Sequence, residues 1–138
     1  MIIGIDASRA NKKNKTGVEW YAWHLIQELK KMTQGDQNSW ILYTNEMLHG
    51  GLEQLPDNWY EVRARWFLQK GWTQLRLSWE MLRRPSDVLF VPAHVLPRVI
   101  PKKTVVTVHD VGFHRFPHLY KARDRQFHEI STKDIAKK

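Results

Sequence analysis

Five β-branched residues in succession, Thr104-Val-Val-Thr-Val108, run without a break into His109-Asp110-Val-Gly-Phe-His-Arg-Phe-Pro-His-Leu-Tyr120. An unbroken apolar run of this kind, without polar alternation, predicts a parallel strand buried on both faces. His109 and Asp110 then stand at that strand's carboxyl end. Open α/β sheets bind ligands there, because the chain turns, loops replace packing and side chains can point into a crevice. Gly112 and Pro117 predict that the segment beyond is an irregular, site-forming loop.

The rest of the chain supplies the other elements of such a sheet. Ile2, Ile3 and Ile5 form a short run stopped by Asp6, which predicts a central first strand. Residues 7 to 15 are small, polar or cationic, and Thr16-Gly17 precede Val18, Tyr21, Leu25, Ile26 and Leu29 at helical spacing. Free N–H groups at a helix start, beside a glycine that admits close approach, suit phosphate or sugar oxygens. Gly17 reads equally as a turn residue. Trp40 to Thr44 predicts an interior second strand, residues 59 to 65 a short third and Asp87 to Val91 a fourth, with a helix from Ala122 to the end of the chain. The expectation is one Rossmann-like domain: an open, mainly parallel sheet with helices on both faces.

Leu68, Trp72, Leu75, Trp79 and Leu82 recur at intervals of four, three, four and three, predicting one apolar stripe on a helix over about 71–84. Lys70, Arg76, Arg83 and Arg84 fall on the opposite side. The first reading is that the stripe packs on the sheet, with peripheral membrane contact or a partner protein as alternatives. His94, between Pro92 and Pro97, reads as a loop histidine or a substrate contact.

At 138 residues the chain has the length of one domain. It contains no cysteine, so it has neither disulfides nor a thiolate metal site, and a reducing cytoplasm is permitted. The formal charge of +8 and seven tryptophans suit phosphate-rich partners or an anionic membrane face. Nucleic acid is the weaker reading, because the aromatics fall on helix and strand faces and form no stacking platform. His109, Asp110, His114 and His118 could gather zinc, but Pro117 prevents a regular helix from aligning the later histidines. No metal is expected. There is no Gly-x-Ser-x-Gly elbow or phosphate-binding Gly-x-x-x-x-Gly-Lys loop.

Three stretches, in order, resemble the N-terminal domain of family 4 retaining glycosyltransferases. They are Asp6-Ala-Ser-Arg9 with Thr16-Gly-Val-Glu-Trp-Tyr21, Asp87 to Pro97, and the strand ending in His109-Asp110-Val-Gly-Phe113 followed by Phe116-Pro117. The resemblance implies the N-terminal half of a GT-B enzyme, incomplete without a C-terminal donor-binding domain, with a glycan or lipid-linked acceptor held mainly on this half. Its donor would be a nucleotide sugar, used as substrate with no cofactor. Gly17, with Thr16, would lie by the donor phosphates and sugar, His109 would bond the donor sugar or its leaving phosphate, Asp110 would orient that histidine or its loop, and Arg9 would contact an anion. Lys15 stands where the family usually has glycine and Trp20 where arginine is common. The family's paired C-terminal glutamates have no counterpart here.

Overall fold

The computed structural model describes residues 1–68 and 71–137. Lys70 and Lys138 lie outside them, as do the side chains of Phe127 and Lys137. Five parallel strands form one sheet in the order β3-β2-β1-β4-β5, with β1 at Ile2–Asp6, β2 at Ser39–Thr44, β3 at Trp59–Arg63, β4 at Val88–Val91 and β5 at Lys103–Val106. The chain adds strands outward from β1 on one side, then returns across it to add β4 and β5 on the other. The reversal falls between β1 and β4, so the crevice opens where their carboxyl ends diverge.

Alternate residues of each interior strand feed two cores. Ile5, Trp40 and Leu42 meet Ala22 and Ile26 of helix α1 (Gly17–Thr33). Tyr43, Leu89 and Val91 meet Trp72, Leu77 and Met81 on the other face. The expected Rossmann-like α/β fold with helices on both faces is therefore what the chain adopts. Gly4 makes the second face possible: a Cβ there would stand 2.6 Å from the Tyr43 ring and 2.9 Å from Ser86 Oγ. The indoles of Trp40 and Trp59, paired across β2 and β3, stack at 5.0 Å with only 5° between planes.

Two expectations about packing fail. Strand β5 is shorter than its β-branched run and is not buried on both faces; Val105 and Val108 are exposed. It is one of the sheet's two edge strands, so the run reflects β propensity and not interior position. The apolar stripe is also split: Trp72 packs on the sheet as expected, but Leu68, Leu75, Trp79 and Leu82 do not. Residues Trp72–Leu77 wind as a π-helix before α2 (Ser78–Arg83), and the wider turn changes the phase of the pattern. The packed residues are Trp72, Leu77 and Met81, at intervals of five and four, with Trp72 Nε1 donating to Ala64 O at 2.8 Å. Leu75, Trp79 and Leu82 are 43%, 52% and 62% exposed, and Leu68 is exposed as well.

The segment after β5 is more regular than Gly112 and Pro117 suggest. It forms a short helix α3 (Gly112–Arg115) and a 3-10 turn (Pro117–Leu119), which proline can begin because the first helical N–H needs no intrahelical partner. Helix α4 (Ala122–Lys137) follows. Phe113 is buried beneath it, stacked on His128 with ring centroids 5.5 Å apart.

Candidate functional site

Asp6 ends β1 with its side chain sealed from solvent. Its carboxylate accepts the Ser8 N–H at 2.9 Å and the Thr73 hydroxyl at 3.0 Å, tying the β1 loop to the start of the π-helix. Burial pushes the Asp6 carboxyl above the usual aspartate range, against those two bonds and the Arg9 charge. Above it opens a crevice of about 1010 Å³ at the topological switch point, bordered by Ser8, Arg9, Lys12, Glu46, Thr73 and Val95 among others.

The basic wall of the crevice is held by Glu19, in the first turn of α1. Its carboxylate pairs with Arg9 Nη1 at 3.2 Å and Lys12 Nζ at 3.5 Å, accepts the Thr16 N–H at 3.2 Å and accepts the Thr16 hydroxyl. Burial opposes ionisation of Glu19, but the Thr16 hydrogen bonds and the Lys12 charge outweigh it and hold the carboxyl at about 2. Thr16 is thus the N-cap of α1, in a capping box with Glu19. Gly17 is the first helical residue, exposed, with a negative φ and no heavy atom within 4 Å of where a Cβ would stand. Neither backbone conformation nor packing within the chain requires glycine there.

His109 is half-buried at the exit of β5. Its Nε2 lies 3.3 Å from Pro92 O, and its ring meets the edge of Tyr21 from α1 at 5.0 Å between centroids. The Tyr21 hydroxyl also bonds Thr107 Oγ1 at 3.3 Å. Tyr21 therefore fastens the first turns of α1 to the end of β5, which brings the Gly17 turn and His109 to the same edge of the sheet. Because Pro92 O can only accept, Nε2 carries the proton, leaving Nδ1 as the second functional atom. Asp110 bonds its own loop: Oδ1 accepts the Gly112 N–H at 2.9 Å and the Tyr120 hydroxyl at 3.4 Å.

His94 lies near enough to His109 and Asp110 to feel their charges, but its hydrogen bond goes elsewhere. Its Nε2 bonds Thr132 Oγ1 of α4 at 2.7 Å, and its ring packs against Phe113 and His128. Burial, followed by the nearby His128, lowers its pKa. It braces α4 against the strand-end loops. Lys15 and Trp20, the two departures from the glycosyltransferase pattern, contact each other, with the ammonium 5.4 Å above the indole. Lys15 also donates to Lys12 O at 2.7 Å, closing the loop before α1.

No family model, curated protein or solved structure matches the chain. Among the described residues, no group of three or more His, Asp or Glu is placed to hold a metal ion, and no helix is long and apolar enough to cross a membrane.

Residue type alone left Glu19, Tyr21 and Thr73 out of the site. Only the Thr-x-x-Glu spacing of Thr16 and Glu19 carries a local signal, that of a capping box. The Asp6–Thr73 and Tyr21–Thr107 contacts span 67 and 86 residues and have no local signature.

Proposed function

We propose that the chain is the N-terminal, acceptor-side domain of a GT-B glycosyltransferase of the retaining, family 4-like kind, acting with a second domain that holds the nucleotide-sugar donor. The observation that carries this reading is the convergence, through Tyr21, of an unobstructed helix start at Gly17 with His109 at a strand exit. The first N–H groups of a helix lack intrahelical partners and attract anions. A donor diphosphate against Gly17 would meet them without a side chain in the way.

His109 offers Nδ1 toward a ligand while Nε2 is held by Pro92 O. Neutral, it accepts from a sugar hydroxyl; protonated, it donates to a leaving phosphate, where negative charge grows in the transition state. Asp110 shapes the turn after His109. Arg9 and Lys12 supply positive charge at the crevice, where the acceptor would lie. Transfer needs both halves, because this chain provides only one wall of the cleft.

The test has two parts. In the joined two-domain enzyme, nucleotide sugars should move amide resonances of residues 17–21 and 107–110, while the 138-residue chain by itself gives no turnover. In the joined two-domain enzyme, His109→Ala should lower transfer about 100- to 1000-fold with a small change in melting temperature. Turnover by this chain alone, resonance shifts confined elsewhere, or a His109→Ala enzyme that melts several degrees lower but transfers at the parent rate would each refute the reading.

A further inference from the structure

The π-helical turn leaves an apolar row on the outside of the molecule. Trp79 and Leu82, three residues apart on α2, share one helix face, and Leu75 in the π-helical turn before it is exposed with them. Phe67, 87% exposed, and Leu68 add apolar surface on the segment leading in. Charge surrounds the row. The Arg83 guanidinium lies over the Trp79 ring at 5.8 Å, and Arg84 is exposed beside it. The one acid on residues 71–84, Glu80, is neutralised by Arg76, whereas neither Arg83 nor Arg84 forms an ion pair among the described residues. Lys102 and Lys103 border the same shallow depression as Pro85, just past α2.

We infer that this face docks on an anionic lipid surface, with Leu75, Trp79 and Leu82 entering the headgroup and upper acyl region and Arg83, Arg84, Lys102 and Lys103 contacting lipid phosphates. Indole and leucine side chains rimmed by arginine are the composition of an interfacial amphipathic helix. Each basic side chain near such a surface strengthens attraction by about fivefold in affinity. A second copy of the chain is the poorer occupant, because a two-fold contact would set the same arginines against each other. A folded protein partner is poorer too: the row is a handful of side chains, far below the roughly 20–30 residues a stable interface needs on each side. The inference stands apart from the transferase reading, since the row lies on the outer side of α2 and includes neither His109 nor Gly17.

Vesicles of phosphatidylcholine alone, and of phosphatidylcholine with about one-third phosphatidylglycerol, test it with the full 138-residue chain. The chain should co-sediment with the anionic vesicles, dissociate as salt rises and lose tryptophan emission to lipids brominated near the headgroup, a quenching that Trp79→Ser removes. Arg83→Gln with Arg84→Gln should weaken binding about 25-fold and Trp79→Ser on the order of tenfold, with melting temperatures near the parent value because these side chains are exposed. Failure to sediment, equal binding to both vesicle types, or variants that bind as well as the parent would overturn the inference. So would a concentration-dependent dimer that Trp79→Ser dissolves, since the row would then be an interface between copies.

Discussion

Replacing Glu19 with glutamine removes one charge and almost no volume, yet it strikes the junction on which the crevice wall depends. In the native chain the carboxylate sits almost wholly buried among Thr16, Arg9 and Lys12 and is held at about 2, against 4.5 for an unperturbed glutamate. At 1.36 kcal/mol per pH unit, that gap corresponds to at most about 3.4 kcal/mol of folding stability. The folded-state value is depressed, so the contribution is fully present above about pH 4.5 and is lost as pH falls toward 2; by pH 3 less than half remains. Urea unfolding of the parent and Glu19→Gln at pH 7, 5, 4 and 3 reads this directly. The parent should be more stable by about 2–3 kcal/mol at pH 7, and the two curves should approach each other below pH 4. A difference that is constant across the range, or that grows toward acid, would refute the account of Glu19 as an ionised clamp. The glutamine variant should also leave Arg9 and Lys12 free to move, which broadens their side-chain resonances at neutral pH.

Two further substitutions separate competing explanations. Gly17→Ala should raise the melting temperature of this chain by a few degrees, from about 0.4–1 kcal/mol of reduced unfolded-state entropy, while weakening nucleotide-sugar binding; a lower melting temperature would mean that the fold itself needs glycine. Trp72→Ala should destabilise by about 3–5 kcal/mol, whereas Trp79→Ala should stay within about 0.5 kcal/mol of the parent; comparable losses in urea unfolding would restore the regular helical stripe read from the sequence.

The interior of the sheet was legible because burial on two sides leaves an unambiguous mark. The runs at 2–5, 40–44 and 88–91 are short, mostly apolar and stopped by Asp6, Asn45 and Pro92, and each became a strand. The edge was not, since Thr104 to Val108 has the same composition as an interior strand and only the absence of an outer neighbour exposes Val105. The stripe from Leu68 to Leu82 failed for a different reason. A periodicity of three and four assumes a uniform α turn, and a single wider turn at Trp72–Leu77 keeps Trp72 buried but puts Leu75, Trp79 and Leu82 out of phase with it. At the candidate site, His109 and Gly17 are candidates by type and position, one at a strand exit and the other at a helix start. His94 carried the same signals but is taken up by Thr132 and His128 of α4, contacts made across 38 and 34 residues that no local pattern announces.

The near-parallel pair of Trp40 and Trp59 gives the molecule an optical signature of its own. Two indoles stacked at this distance couple their electronic transitions, so their circular dichroism depends on how the rings face each other and collapses when either tilts. Because one ring belongs to β2 and the other to β3, that signal reports whether these strands remain in register, a feature lost when fixed side-chain packing melts even while secondary structure persists. Trp79 lies outside this pair and answers instead to the solvent around α2. The chain therefore carries two spectroscopic channels, dichroism for the integrity of its sheet and, in the difference between the parent and Trp79→Ser, emission for whatever meets its outer helix.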